Sequence, residues 1–378
     1  MNAIKKQKPK IALILTGGGA RAAYQVGLLK AITTLLPRNH KAPFDIICGT
    51  SAGSINATQL ACYASSYHLG VKKLEWAWKN FTTKKIYNCD FRGVFGHLAR
   101  GIFSNFQADY ANKQPGSLFD NAPLNTLLNQ LLDLKRIDRN IHRGYLDALC
   151  ISASSYSDGD SISFFQSDQH DAWTRARRKG LKTDISIDHL MASSAIPLVF
   201  PSVKIKQRYY GDGSVHQLSP LSPAIHLGAQ KLFIIGVEQP EETKFYGQNP
   251  HHPDVAYMAG HLLDTIFSDT LTADIERMQR INETLKLIPP ENQTTDLTQI
   301  ESMVINPSHN FNSIASDFYF DLPMAVRWIL SIVGVDQHSE SSLVSYLLFE
   351  QSYTQELIKL GYHDGIAQLD EIATFLEL

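Results

Sequence analysis

The segment FDIICGTSAG, residues 44–53, sets the topology of the N-terminal part of this chain. Its first half is a short apolar run, Phe44–Cys48, of the kind that forms a buried parallel strand. Glycines break the run, and apolar residues at helical spacing follow. The same order stands upstream, where the apolar run Ile11–Leu15 leads into three glycines and a helix that Pro37 ends. The order β-α-β-α predicts an α/β fold with parallel strands joined by right-handed crossovers.

The rest of the chain continues this pattern and then becomes helical. Lys231–Val237 is predicted as a strong buried strand, and a long helix is predicted over Ala256–Leu287. From residue 311 to residue 378 the apolar residues recur at helical spacing. We therefore expect a main domain over residues 9–310 and a helical C-terminal extension, residues 311–378, packed on it.

Composition excludes several classes of protein. The chain has 378 residues, 44% hydrophobic and 19% charged, which is typical of a globular protein rather than a disordered one. Lys and Arg total 35 against 37 Asp and Glu, so no strong positive charge exists to bind nucleic acid. The cysteines form no CxxC pair and are predicted to be buried free thiols: Cys48, Cys62, Cys89 and Cys150.

The pentapeptide Gly49-Thr50-Ser51-Ala52-Gly53 has the pattern G-x-S-x-G between a predicted strand and a predicted helix. In that context the pattern is typical of a nucleophile elbow, in which a sharp turn exposes the serine at the edge of the sheet. Side chains at Gly49 or Gly53 would obstruct such a turn. We interpret Ser51 as a nucleophile. The alternative is a glycine-rich turn in which Ser51 only caps the helix.

The triple glycine Gly17-Gly18-Gly19 follows the first predicted strand. Glycines there leave backbone N–H groups uncovered, which favours an oxyanion hole. The rival interpretation is dinucleotide binding, because Gly17-x-Gly19-x-x-Ala22 fits that fingerprint. The fingerprint also needs an acidic residue at the end of the second strand, where this chain has the serine motif. Arg21 could pair with a carboxylate and hold the loop, or it could be a solvated charge on a helix face.

The third motif is Gly211-Asp212-Gly213, which in isolation reads as an ordinary turn. Its interest lies in the base that a nucleophilic serine requires. The late histidines, from His216 to His363, lack a distinctive glycine-flanked position at a strand end. Asp212 is therefore a candidate base.

These motifs, in this order and near this spacing, resemble the patatin-like phospholipase family. The segment ASSAIP, residues 192–197, resembles the family's sequence ahead of the aspartate. The resemblance covers about residues 9–306. It implies a three-layer α/β fold in which helices flank a central, mostly parallel sheet.

The family consists of serine acyl hydrolases with a Ser–Asp dyad. Carried over, Ser51 is the nucleophile, Asp212 is the base, and the glycine loop forms the oxyanion hole. The supporting residues are Arg21, Gly49, Gly53, Gly211 and Gly213. The resemblance implies a serine esterase of the phospholipase A type. No cluster of His, Cys and Asp in the sequence has the spacing of metal ligands, so we expect no metal and no cofactor.

The expected substrate is a phospholipid or lysophospholipid, cleaved through a Ser51 acyl-enzyme. Two alternatives stay open, namely a hydrolase or acyltransferase on small soluble esters or thioesters, and a non-catalytic lipid-binding module. The sequence has no secretory signal and no apolar run of about 18 residues, so we predict neither a signal peptide nor a transmembrane helix. We expect a cytoplasmic protein with peripheral membrane contact and no nucleic-acid partner.

The segment Phe91–Phe106 carries an apolar stripe at helical spacing, interrupted by three glycines. Glycines weaken a helix by about 1 kcal/mol each relative to alanine. The pattern fits either a movable lid over an acyl pocket or an ordinary packed helix.

Overall fold

The computed structural model describes residues 8–90, 117–240, 270–289, 297–332, 334–337 and 342–378, together with residues 258, 261, 264 and 265. The strands form one sheet: β1 (Ile11–Leu15), β2 (Ile46–Thr50), β3 (Ala148–Ser155), β4 (Ser161–Gln166), β5 (Trp173–Arg175), β6 (Arg178–Lys182), β7 (Val203–Ile205), β8 (Arg208–Asp212), β9 (Lys231–Ile235) and β10 (Glu301–Ile305).

The sheet has a parallel half and a mixed half. Strands β10, β9, β1, β2 and β3 lie side by side in that order and are all parallel, as their β-α-β connections require. Beyond β3 the order continues through β4, β6 and β5, with β4 antiparallel to β3. The short hairpin β7–β8 joins the sheet separately, through an antiparallel pairing of β8 with β3.

Helices cover both faces of the sheet. They are α1 (Ala23–Ile32), α2 (Ala52–Cys62), α3 (Tyr67–Lys79), α4 (Thr83–Ile86), α5 (Ala122–Leu131), α6 (Lys135–His142), α7 (Ile187–Ser193), α8 (Ser222–His226), α9 (Thr270–Leu287), α10 (Phe311–Asp317), α11 (Met324–Ile332), α12 (Leu343–Leu347), α13 (Gln351–Ala367) and α14 (Leu369–Leu376). Short 3-10 turns occur at Gly19–Ala22, Thr33–Leu35, Gly213–His216 and Tyr319–Asp321.

Alternate residues of each central strand point into two separate hydrophobic cores, since successive strand side chains face opposite ways. Leu13 and Leu15 lie in the larger core with α1, α2, α3 and the C-terminal helices. Ala12 and Ile14 lie in the smaller core with α8 and α9. The predicted mostly parallel sheet with helices on both sides is confirmed, as is the helical C-terminal region. The four cysteines are free and buried, as predicted.

Three predicted boundaries were wrong. The second strand is Ile46–Thr50 rather than Phe44–Cys48, because Gly49 and Thr50 pair with Ile151 and Ser152 of β3. Strand β9 ends at Ile235 rather than Val237. Gly211 and Asp212 end strand β8 rather than forming a turn, because β8 pairs with β3 as far as Asp212.

Part of the prediction falls outside the described residues. This holds for the segment Phe91–Phe106 and for most of residues 256–269 of the predicted long helix. Among the helices that the structure describes, none is both long and apolar enough to cross a membrane.

The C-terminal helix α13 packs against α1 with almost no space between the two backbones. A Cβ atom at Gly27 would lie 2.0 Å from the Ile358 carbonyl oxygen, and one at Gly361 would lie 2.1 Å from the Tyr24 carbonyl oxygen. One turn further on, a Cβ atom at Gly365 would lie 2.6 Å from the Ala31 side chain. Close approach of two helices at small residues explains why glycine stands at these positions in otherwise regular helices.

We predict that Gly361→Ala destabilises the protein by about 3 kcal/mol, because the added methyl group overlaps a backbone atom that cannot move without shifting α1. The matched control is Ile366→Ala on the same helix, where the side chain is 38% exposed and the expected cost is about 1 kcal/mol or less. Guanidinium denaturation measures both. Equal stability of the two variants would contradict the close packing of α1 and α13.

Candidate active site

Strands β2 and β8 run toward each other along the same edge of β3. Thr50, the last residue of β2, lies opposite Ser152, and Asp212, the last residue of β8, lies opposite Ala153. The other edge of β3 pairs with β4 over this stretch. The first edge is therefore shared, with β2 paired as far as Ser152 and β8 paired from Ala153 onward. Ser51 directly follows β2. The two strand ends therefore bring Ser51 and Asp212 together although 161 positions separate them in the chain.

Ser51 has an unusual backbone conformation, with φ 53° and ψ −132°. A positive φ in a residue other than glycine is strained, at a cost on the order of 1–3 kcal/mol, and such residues cluster at functional sites. A Cβ atom at Gly49 would lie 2.5 Å from the Gly53 carbonyl oxygen, and one at Gly53 would lie 2.4 Å from the Leu15 carbonyl oxygen. The turn thus requires glycine on both sides, as the sequence motif predicted.

Hydrogen bonds from two neighbouring serines hold the strained turn in place. The Ser51 backbone N–H donates to the Ser193 hydroxyl at 2.9 Å, and that hydroxyl donates to the Ser152 carbonyl oxygen at 2.7 Å. On the other side, the Ser54 hydroxyl donates to the Ser51 carbonyl oxygen at 2.6 Å. Both polar backbone groups of Ser51 are therefore fixed, and Ser51 sits at the positive N-terminal end of α2.

Asp212 is fully buried, and its two carboxyl oxygens differ. Oδ1 accepts a hydrogen bond from the Ser214 backbone N–H at 2.9 Å, whereas Oδ2 has no hydrogen-bond partner among the described residues. Burial raises the pKa of Asp212 to about 6, and the nearby Ser51 hydroxyl and Ser214 offset part of that rise. Ser51 thus lies close enough to affect the carboxyl without making a hydrogen bond to Oδ2. The carboxylate is a stronger base here than in water.

The glycines that flank Asp212 allow close packing around it. A Cβ atom at Gly213 would lie 2.3 Å from the Ser152 carbonyl oxygen of β3 and 2.9 Å from the Thr50 methyl group at the end of β2. A Cβ atom at Gly211 would lie 2.3 Å from the Tyr156 hydroxyl, so the Tyr156 ring covers this end of β8.

The triple-glycine loop lies beside the serine. Gly19 has φ 55° and lines the same small cavity as Ser51. In the part of the chain that the structure describes, the backbone N–H groups of Gly17, Gly18 and Gly19 donate no hydrogen bond to another residue. An oxyanion hole requires unpaired N–H groups of this kind. Thr16, just before the loop, is fixed because its carbonyl oxygen accepts from the buried Gln25 amide at 2.8 Å.

Arg21 is completely buried and anchors the glycine loop to the C-terminal helices. Its guanidinium donates to Ser345 at 2.9 Å, to Asn312 at 2.8 Å and to Asp264 at 3.0 Å. It also stacks 3.9 Å from the centre of the Tyr346 ring. Of the two sequence interpretations of Arg21, the structure shows the pairing with a carboxylate and not the solvated charge.

The cavity that Ser51 lines is apolar and small, about 30 Å³ in volume. Its other described lining residues are Ala52, Ile55, Trp78, Phe81, Ile86, Leu124, Ser194, Ile196, Phe200 and Phe349, with no histidine among them. Within the described ranges, no three His, Cys, Asp or Glu side chains form a group that could hold a metal ion. An acyl chain is the chemistry that such a lining suits, once side chains move to widen it.

The sequence did not predict two residues whose side chains fix the backbone around Ser51. Ser193 lies in the ASSAIP segment, but nothing in that segment showed that its hydroxyl would fix Ser51. Gln217 ties the end of β2 to β3, because its side chain accepts from the Thr50 hydroxyl and donates to the Ser152 hydroxyl, both at 2.9 Å. Its position five residues after Asp212 gave no signal.

We predict that Ser193→Ala lowers the free energy of unfolding by about 1–3 kcal/mol, since it leaves the buried Ser51 N–H and the Ser152 carbonyl without this partner. The control is Ser194→Ala at the next position, where the buried hydroxyl has no hydrogen-bond partner among the residues that the structure describes, so that the loss is smaller. Denaturant unfolding of the two variants tests this. A larger loss for Ser194→Ala would show that the Ser193 hydroxyl does not hold the turn.

Comparison with known proteins identifies the family. Residues 13–225, which include Ser51 and Asp212, match the patatin-like phospholipase family. The cGAMP-activated phospholipase of Pseudomonas aeruginosa is 26% identical over 205 residues, covering 54% of this chain and 52% of that protein. The chain therefore matches about half the length of that curated relative.

Solved structures show similarity at low identity. Human GIVD cytosolic phospholipase A2 matches with a TM-score of 0.47 and 9% identity, over 98% of this chain and 60% of that one. VipD from Legionella pneumophila matches with a TM-score of 0.39 and 12% identity, over 97% and 67%. The family match spans more than half of the chain, and the chain therefore belongs to the patatin-like phospholipase family, as its motifs predicted.

Proposed function

We propose that this protein is a lipid acyl hydrolase that cleaves fatty-acyl esters of phospholipids or lysophospholipids. Family membership supports an ester hydrolase. The observation that carries the proposal is that Ser51, on its strained turn, lies beside the buried carboxyl of Asp212. Only one oxygen of that carboxyl has a hydrogen-bond partner among the described residues. The apolar lining of the cavity beside Ser51 favours a fatty-acyl group over a polar one.

In the first step Asp212 acts as general base. Its unpaired Oδ2 accepts the proton of the Ser51 hydroxyl while Ser51 Oγ attacks the ester carbonyl carbon. Negative charge develops on the former carbonyl oxygen, which the N–H groups of the glycine loop and the N-terminal end of α2 stabilise. The protonated Asp212 then gives its proton to the departing alcohol, and an acyl-enzyme remains on Ser51.

In the second step water releases the fatty acid. Asp212, again a carboxylate, takes a proton from the water molecule, whose oxygen attacks the acyl carbonyl. The same N–H groups stabilise the second anionic intermediate. Proton transfer back to Ser51 Oγ frees the enzyme. A pKa of about 6 suits both duties, because Asp212 is ionised at neutral pH and still basic enough to accept a proton.

Two other functions make different predictions. A hydrolase or acyltransferase on small soluble esters or thioesters would act faster on a butyryl ester than on phospholipid at equal ester concentration. A non-catalytic lipid-binding module would bind fatty-acyl lipids and hydrolyse neither. Assays on both substrates separate the three functions, and only the lipid hydrolase prefers the phospholipid.

We predict that Asp212→Asn and Ser51→Ala each lower kcat by about 1,000-fold or more on a soluble ester, since each removes a reacting group. The control is Asp184→Asn, which changes an exposed carboxylate and leaves kcat unchanged. An Asp212→Asn enzyme with most of its activity would contradict the proposed base.

The raised pKa of Asp212 also gives a stability test. The folded state favours the protonated carboxyl, so this group stabilises the fold most below its ordinary pKa, and that stability is lost as pH rises through about 6. The inactive Asp212→Asn protein should therefore be at least as stable as wild type at pH 8. Loss of stability in Asp212→Asn would mean that its inactivity reports unfolding.

The same pKa predicts the pH dependence of activity. Wild-type kcat should fall about tenfold per pH unit below pH 6, because only the ionised carboxylate of Asp212 can accept the proton.

A further inference from the structure

A second and larger concavity lies beside the candidate active site, on the outer side of α3. We call it the lysine groove; its volume is about 650 Å³. It is bounded by α3, α4 and α5. Its described lining includes Gln59, Lys73, Trp76, Phe81, Lys84 and Lys85.

The groove is positively charged. Lys73, Lys84 and Lys85 are exposed, and no described acidic residue lines the groove. None of the three lysines forms an ion pair with a described residue. By contrast Lys79, on the same helix α3, pairs with Glu75 and does not line the groove. Lys85 donates to the Asn80 carbonyl oxygen at 2.9 Å, and the Lys73 ammonium lies 5.3 Å from the centre of the Tyr63 ring. No described carboxylate neutralises the three charges that line this concavity, which favours an anionic ligand.

Aromatic and apolar side chains stand beside these charges. Trp76 is 61% exposed, which is unusual for a residue of its size. Leu127 and Leu131 line the opposite wall on α5. A tryptophan beside lysines is the combination that binds at the boundary between lipid headgroups and acyl chains.

The floor of the groove holds a polar atom without a partner. Gln59 is 5% exposed, and its Oε1 atom has no hydrogen-bond partner among the described residues. A buried acceptor without a partner costs free energy unless a ligand donates to it. This favours a headgroup that carries a hydroxyl or ammonium donor next to its phosphate.

The groove adjoins the cavity of Ser51, because Phe81 lines both. A surface that binds headgroups here would hold the enzyme on a membrane with Ser51 next to the lipid. From this juxtaposition we propose that the lysine groove is the membrane-docking site and binds the phosphate headgroup of anionic phospholipids. The proposal rests on the proposed lipid hydrolase function and adds where, and through which charges, the enzyme meets its substrate surface.

The test is binding to vesicles of ether-linked lipids, which the enzyme cannot hydrolyse. Wild type should sediment with vesicles that contain phosphatidylglycerol, and less with pure phosphatidylcholine or at high salt. The double substitution Lys84→Ala with Lys85→Ala should weaken binding about 30-fold, taking about 1 kcal/mol per lysine near an anionic surface. Trp76→Ala should weaken it as well. Activity on a soluble butyryl ester should stay unchanged in these variants.

The matched control is Lys204→Ala with Lys206→Ala, two exposed lysines on the β7–β8 hairpin outside the groove, which should bind as wild type does. Equal binding by the Lys84/Lys85 variant would overturn the proposal, as would equal binding of wild type to neutral vesicles. Tighter binding of wild type to glycerol phosphate than to phosphatidylglycerol vesicles, lost in the Lys84/Lys85 variant, would assign the groove to a soluble phosphate compound instead. If wild type showed no activity on the soluble ester, that result would count against the proposed function and not against the groove.

Discussion

The site depends on the meeting of two strand ends on one edge of β3. Strand β2 is parallel to β3 and ends opposite Ser152, whereas β8 is antiparallel to β3 and ends opposite the next residue, Ala153. The two strands therefore end next to each other, with Ser51 following β2 and Asp212 ending β8. The space between the two strand ends is so small that residue 213 can only be glycine. This junction explains why the carboxyl of Asp212 is buried and why its pKa is raised. The buried Gln217 ties the end of β2 to β3 beside the junction.

The C-terminal helices hold the other half of the site. Arg21 extends from the glycine loop into a group of polar side chains that includes Asn312 and Ser345, and Gly19 lies against the backbone of Tyr346 in α12. Helix α13 closes the larger hydrophobic core against α1. We propose that residues 311–378 form one folding unit with the rest of the chain. In this account the extension fixes the position of the glycine loop that we propose as the oxyanion hole.

Local patterns predicted most of the elements, the glycine loop and the sharp turn at Ser51. Continuous apolar runs placed β1 and most of β2, and the glycines around Ser51 marked the turn, because both depend on neighbouring residues. Asp212 was harder. Its flanking glycines also fit an ordinary turn, and its place at the end of β8 follows from pairing with β3, which is far away in sequence. The partners of Arg21 and the hydroxyl of Ser193 could not be predicted for the same reason, since they come from packing between distant elements.

The central claim is that Ser51 is a nucleophile activated in this structure, and reaction with a fluorophosphonate tests it most directly. The reagent should add one phosphonyl group to the protein, and fragmentation should place it on Ser51. Ser51→Ala should acquire no adduct. An adduct on another residue, or full hydrolytic activity in protein that the reagent leaves unlabelled, would contradict the account.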